Sequence, residues 1–332
     1  MNSFDSNALV LQFIPSHTAP VMTRFLGRLA GGVVAAVIDL EDGLWDVCDA
    51  ERTRAMKASA REQVFKLCAA FPKALTNTPI FLRLNPVDSP EFASDLSVAR
   101  ALSEACGWFG LLLPKTASGR DYTEAQARLA EAQVKYRDLV PMAETEAALG
   151  RLPTFAAEVA ARGATSLIFG FYDHCLESGE WPFPAPDESV YWERAWRVSD
   201  VCRERGLRYI HPPIAVLHDT ELLGAAIRRL RAWHGPRFGI FSGGPSQTPL
   251  LVELCQSLDE PAEASGALLE AASTASPLSL GERLDLARKT LAVFEGHRHR
   301  GVSFTSDARQ ARFIPPHEHL AARRFLEQAG HA

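Results

Sequence analysis

Short apolar runs alternate with helix-length stretches eight times along this chain, and that rhythm constrains the fold more than any other feature. The apolar runs are Ala8–Pro15, Val33–Leu40, Ile80–Asn85, Gly110–Pro114, Leu139–Ala143, Ser166–Gly170, Arg208–Pro212 and Arg237–Ser242. Between them lie Pro20–Leu29, Glu51–Phe71, Pro90–Cys106, Arg120–Lys135, Glu146–Arg162, Ser189–Arg205 and Asp219–His234, all with helical composition. Runs this short and this apolar read as buried strands. Strand–helix alternation at this spacing predicts parallel pairing through right-handed crossovers. Eight repeats predict a closed (β/α)8 barrel, the TIM-barrel arrangement, rather than an open sheet. An open doubly wound sheet usually offers a glycine-rich dinucleotide turn after its first strand. Here that turn reads Pro15-Ser16-His17-Thr18, without a glycine.

The composition changes after Leu258. Glu260–Ser276 is rich in Ala, Ser and Glu; Leu280–Phe294 is amphipathic; Gly301–Asp307 reads as a short strand or extended arm; and Pro315–Gln328 opens on two prolines as a final helix. The expected organisation is a catalytic barrel over residues 1–259 and a C-terminal helical extension over 260–332. So short a tail cannot bury its own core, so it should pack on the barrel or on a neighbouring subunit.

The 35 basic and 40 acidic residues are well mixed, and the net charge is −5. Without a run of like charge, nucleic acid and anionic membrane are poor partners. Neither a secretory leader nor an apolar span of membrane length is read, so the expected location is the cytoplasm. The six cysteines, Cys48, Cys68, Cys106, Cys175, Cys202 and Cys255, have no metal-ligand or CxxC spacing and read as free thiols. Cys175, close to Asp173, would act as a nucleophile only beside a base.

In a barrel of this kind chemistry gathers at the C-terminal ends of the strands. Those ends carry Asp39-Leu40-Glu41-Asp42, then Arg83 and Asn85, Lys115, Glu144, Asp173, His211 and finally Ser242-Gly243-Gly244-Pro245-Ser246-Gln247. Glu144 and Asp173 follow successive apolar runs. Two carboxylates at one end of adjacent parallel strands can hold one Mg²⁺; alternatively, one caps a helix and the other is a solvated loop acid. Arg83, inside an apolar run, either pairs with an acid in the mouth or receives an oxyanion from a ligand. Asp39, Glu41 and Asp42 repel one another unless a cation or Arg83 sits between them. Lys115 is a strand-end lysine or a Schiff-base former. His174 and His211 are proton-transfer or structural histidines. The Gly243-Gly244 turn is a tight connection or a phosphate cradle. Trp181 and Phe183 read as packing rather than as a lid.

Taken together, the motifs resemble those of the HpcH/HpaI aldolase and citrate lyase β-subunit group, which includes malyl-CoA and citramalyl-CoA lyases. Val37-Ile38-Asp39-Leu40-Glu41-Asp42 is similar to the family's "hDLED", Arg83-Leu84-Asn85-Pro86-Val87-Asp88-Ser89-Pro90 to "RVNPxxSP" and Leu113-Pro114-Lys115-Thr116-Ala117-Ser118 to "LPKvxS". Pro141-Met142-Ala143-Glu144-Thr145 is similar to "PLIET", Phe169-Gly170-Phe171-Tyr172-Asp173 to "FGxxD" and Pro245-Ser246-Gln247 to the end of "HPSQ". The resemblance implies Mg²⁺, or Mn²⁺ in its place, on Glu144 and Asp173. It implies that Arg83 grips an α-keto acid or enolate, with Asp39, Glu41 and Asp42 ordering metal-bound water. Asn85, Glu41, Pro245 and Ser246 would join Arg83 in holding substrate, and His17, Asp42 or Asp307 would be the base.

The chain departs from the pattern in three places. Its first strand exit has no Lys or Arg before Arg24, Gly244 replaces the histidine of "HPSQ", and Asp307-Ala308-Arg309 only faintly echoes the "DGKMID" segment that completes a neighbour's site. The expected activity is a Mg²⁺-dependent carbon–carbon lyase or aldolase acting on a β-hydroxy acid or its CoA thioester. The alternatives are a malyl-CoA-type thioesterase at the same site and a catalytically reduced keto-acid-binding accessory protein. The expected partners are a small hydroxy or keto acid and further copies of the chain in a trimer or hexamer.

Overall fold

In the computed structural model, residues 8–29, 34–257, 278–296, 303–306 and 311–330 are described. Eight parallel strands close into a barrel in chain order: β1 (Leu9–Ile14), β2 (Val34–Asp39), β3 (Ile80–Arg83), β4 (Phe109–Leu113), β5 (Asp138–Ala143), β6 (Ser166–Phe169), β7 (Arg208–His211) and β8 (Phe238–Ser242). β8 returns to pair with β1, Leu9 opposite Gly239, which seals the sheet. The (β/α)8 expectation therefore holds.

Because side chains alternate across a strand, each strand feeds two cores. The outward set, including Val10, Ile38, Leu82, Leu111 and Tyr209, packs against the surrounding helices. The inward set, including Leu11, Val37, Phe81, Leu112, Val140, Met142, Ile168, Ile210 and Phe241, fills the barrel itself. The interior is thus a packed plug, and the mouth cavity opens above it.

Two helical details differ from the sequence reading. Glu146–Arg162 is broken into Glu146–Gly150 and Leu152–Ala161, because Pro153 in the first turn of the second helix lacks the N–H that a continuous helix needs. A short helix, Phe171–Glu177, begins directly after β6, so Asp173 lies in a first helical turn rather than a loop.

The described parts of the C-terminal segment lie on this chain's own barrel. Ser303–Ser306 and Ala311–Ile314 pair antiparallel, and Arg312 bridges to Val216 beyond β7. The last helix, Pro316–Gln328, packs with Leu280–Gly296 through Leu284, Ala287, Ala322 and Leu326. Trp181 joins that cluster and donates from Nε1 to the Arg283 carbonyl at 3.3 Å, a packing role for the Trp181 loop. The expected domain boundary near residue 259 falls outside the described residues. Among the described residues no helix is long and apolar enough to cross a membrane.

Candidate active site at the barrel mouth

The period-2 alternation that fills the barrel also builds its mouth. Ala35 and Val37 point inward along β2, and Asp39 follows; Phe81 of β3 is followed by Arg83; Val140 and Met142 of β5 are followed by Glu144. Each apolar column therefore ends in a charged residue one step above the plug.

The β2–β3 register sets Asp39 opposite Arg83. Arg83 donates from Nε to Asp39 Oδ1 at 2.7 Å and from Nη2 to Oδ2 at 2.6 Å, a two-pronged fork. The same carboxylate accepts the Glu41 N–H at 2.9 Å and the Gly43 N–H at 2.7 Å. Gly43 permits that approach, since a Cβ there would lie 2.2 Å from Asp39 Oδ2. Arg83 Nη1 comes within 3.1 Å of Glu41 Oε2, and the guanidinium lies 5.0 Å from the Phe13 ring centre. Of the two readings of Arg83, pairing with an acid is thus realised, while the residue still lines the mouth cavity.

Lys115 is the second cation. Its Nζ is 2.5 Å from Glu41 Oε1, 3.2 Å from Asp173 Oδ1 and 3.6 Å from Asp42 Oδ1. Although burial works against its charge, Asp42, Glu41 and Asp173 hold the ammonium well above its ordinary pKa. It is therefore protonated, and no Schiff-base role fits. Its backbone is left-handed, φ 50°, which costs a non-glycine residue about 1–2 kcal/mol. That conformation accompanies donation of the Lys115 N–H to Glu144 Oε1 at 2.6 Å.

Glu144 is 1% exposed, and its Oε2 is buried without a hydrogen-bond partner. It caps no helix; the adjacent Thr145 does, accepting from the Ala148 N–H at 3.1 Å. Burial, then the charge of Asp173, pushes its carboxyl well above the usual range. Burial, then Asp42, raises Glu41 to about 7. Asp173 and Asp42 go the other way. Burial would raise both, but His317 beside Asp173, and Lys115 and His317 beside Asp42, outweigh it and hold each below the carboxylate range.

His317 comes from the first turn of the last helix. Its Nε2 is 3.1 Å from Asp173 Oδ2 and 3.4 Å from Asp42 Oδ2. Single oxygens of Asp42 and Asp173 and a His317 nitrogen all lie within 4.8 Å of one another, a grouping able to hold a metal ion. The sequence reading missed His317. Its signal was the Pro315-Pro316 pair, which sets the next residue at a helix start.

Above these charges is a cavity of about 430 Å³. Asp39, Asp42, Arg83, Glu144, Asp173, His17 and His317 supply its polar lining; Phe13, Met142, Ile168, Phe241, Tyr172 and Phe313 supply much of the rest. Phe313, from the C-terminal hairpin, presses so closely on the β8 exit that a Cβ on Gly243 would lie 2.6 Å from its ring.

The other sequence candidates separate cleanly. Pro245 lines the cavity, whereas Ser246 is exposed and is not among the lining residues. Asn85 is fully buried and tied to structure: its N–H and Nδ2 donate to Asp95 Oδ2 at 2.7 and 2.8 Å, Nδ2 also to the Leu40 carbonyl at 2.9 Å, and Lys57 donates to its Oδ1. Glu41 is buried behind the cavity and braces Arg83 and Lys115. His211 lies fully buried between the Tyr191 and Tyr209 hydroxyls, 3.0 Å from each, and burial lowers its pKa to about 3. His174 pairs with Glu146 away from the cavity. Burial and Glu180 push the Cys175 thiol up, so it is not an activated nucleophile. Asp307 lies outside the described residues.

The fold and the mouth together define a class: a (β/α)8 barrel whose strand exits gather five carboxylates, a forked arginine and a lysine, with a histidine added by the last helix. No family model matches the chain, and no curated protein does. Solved structures do. RipC from Yersinia pestis is 20% identical, with 77% of this chain and 97% of that one covered and a TM-score of 0.51. The citrate lyase β subunit from M. tuberculosis, complexed with oxaloacetate and magnesium, is 20% identical over 77% of this chain and 100% of that one, TM-score 0.54. CitE from Mycobacterium tuberculosis, in complex with magnesium, acetoacetate and coenzyme A, is 19% identical over 98% of both chains, TM-score 0.56. Likeness at this identity establishes a shared fold.

Proposed function

We propose that this protein is a divalent-metal-dependent carbon–carbon lyase or aldolase that cleaves, or in reverse forms, a β-hydroxy acid. The observation that carries this reading is Glu144 Oε2, buried without a hydrogen-bond partner, where the charge of Asp173 weighs on the carboxyl more than that of Lys115. An uncompensated buried carboxylate is costly, and a hard cation compensates it. Glu144 and Asp173 would hold Mg²⁺ or Mn²⁺. The structural relatives crystallised with magnesium support that assignment. When bound, the cation supplies Lewis acidity toward the oxygens of a hydroxy or keto acid.

The chain's own groups do the remaining work. Arg83, held by the Asp39 fork, needs no reorganisation to meet negative charge that builds on a substrate oxygen as the carbon–carbon bond breaks. Asp42 and His17, both lining the cavity, are the described groups placed to take the substrate hydroxyl proton, with Asp307 the further candidate. Phe13, Phe241 and Phe313 exclude water from the reacting carbons. Among the described residues, Arg83 is the one Lys or Arg lining the cavity, which favours a free acid over a CoA thioester. The assembly suggested by resemblance is a trimer or hexamer, which light scattering tests.

The test is Glu144→Gln. The wild type should bind Mg²⁺ and release a keto acid or aldehyde fragment from a β-hydroxy acid panel. The variant should keep its circular dichroism spectrum and lose both properties. A variant that binds Mg²⁺ and turns over like the wild type refutes the proposal.

A further inference from the structure

We propose that His317 is a ligand of the metal, so that the C-terminal helix completes the metal site in cis and biases it from Mg²⁺ toward Mn²⁺ and other borderline divalent ions. This rests on the reading that a divalent cation works at Asp173.

The argument begins with the carboxylates. Asp42 and Asp173 each turn Oδ1 toward Lys115 and Oδ2 toward His317. The lysine therefore neutralises one side of the pair and leaves the other side to the imidazole. His317 is 4% exposed, and neither ring nitrogen makes a hydrogen bond of acceptable geometry, although Nε2 is 3.1 Å from one carboxylate oxygen and 3.4 Å from the other. Asp42 Oδ2 is likewise buried without a hydrogen bond, with only the longer ion pairs to His317 and to Arg83 at 3.8 Å. The three ligand atoms lie within 4.8 Å of one another, close enough for a shared cation to take the place of their ion pairs.

The ring is also held in place. Its edge meets Trp45 at a centroid distance of 5.7 Å and an interplanar angle of 75°, and Tyr172 lies 6.5 Å away. Beyond it, Phe313 N–H donates to the Ala215 carbonyl at 3.1 Å, and Arg312 grips Glu318 at 2.6 Å, fixing the turn into the helix. Such positioning limits the entropy lost when the nitrogen takes a ligand role.

The chemical consequence is metal choice. Mg²⁺ prefers oxygen donors in near-ideal octahedra and keeps its waters. An imidazole nitrogen favours Mn²⁺ and the later first-row ions over Mg²⁺. Because His317 belongs to the segment that lies over the mouth, cation binding would also tether that segment to the barrel.

The test is pulsed electron paramagnetic resonance of the full-length protein loaded with Mn²⁺, alongside calorimetric titrations with Mn²⁺ and with Mg²⁺. The wild type should show modulation from a directly bonded ¹⁴N. His317→Gln should lose it and lose about tenfold or more in Mn²⁺ affinity, with little change for Mg²⁺. Mn²⁺ bound by the wild type without ¹⁴N coupling overturns the inference whatever the variant does, and leaves the lyase reading standing. Failure of the wild type to bind either ion overturns both.

Discussion

Gly170 and Glu144 stand against each other where β6 and β5 end, and a Cβ on residue 170 would lie 2.0 Å from Glu144 Oε2 and 2.3 Å from its Cβ. The glycine is there to make room for the acid. Gly170→Ala should displace the Glu144 side chain at a cost of about 1–3 kcal/mol, the range for overpacking. Divalent-cation affinity should fall with it. Urea unfolding and calorimetry check the two effects; unchanged cation affinity would show that Glu144 does not bind the ion.

The fork between Arg83 and Asp39 cannot be rebuilt by a lysine, which offers a point charge in place of parallel donors. Arg83→Lys should therefore abolish turnover while binding the cation normally. Arg83→Met should go further, destabilising the fold by about 3–5 kcal/mol because it leaves Asp39 buried with two backbone donors but no counter-ion. Denaturant midpoints compared with activity separate charge from geometry.

Glu41 and His317 each make the cation-free protein less stable as pH rises. Glu41 titrates near 7 in the folded state, above its ordinary 4.5, so its contribution is complete below about pH 4.5 and disappears as pH passes 7. His317 is raised to about 10 by Asp173 and Asp42 against the effect of burial. Its contribution is complete below about pH 6.5 and is lost as pH passes 10. Measured without metal, the wild-type thermal midpoint should fall across the first window relative to Glu41→Gln and across the second relative to His317→Gln. A wild-type midpoint that rises relative to Glu41→Gln between pH 5 and 7 would contradict the Glu41 shift.

His211 should prove structural. Replacing it by Phe leaves the Tyr191 and Tyr209 hydroxyls without their shared partner, which costs about 1–3 kcal/mol. Cation affinity should stay at the wild-type value, as isothermal titration would record.

Much of this mouth was legible in the chain. Asp39, Arg83 and Glu144 each extend an inward-facing alternation, and that period is a local property of the backbone. What misled was also local. Asn85 looks like a mouth residue because it follows Arg83 by two, but the β3 exit turns and commits it to Asp95 and Leu40. Ser246 has a recognisable motif around it, yet the turn after β8 leaves it outside the cavity lining.

The sequence by itself determined the eight strands and their order, because the length and spacing of apolar runs are set by neighbouring residues; which strand side chains face inward came only with barrel closure. Tertiary structure alone decided the partners. Barrel closure and strand stagger set Asp39 against Arg83, a left-handed turn at Lys115 carried its N–H to Glu144, and the path of the C-terminal segment delivered His317 to Asp173. Such pairings depend on where distant stretches of backbone come to rest, and spacing along the chain carries no record of that.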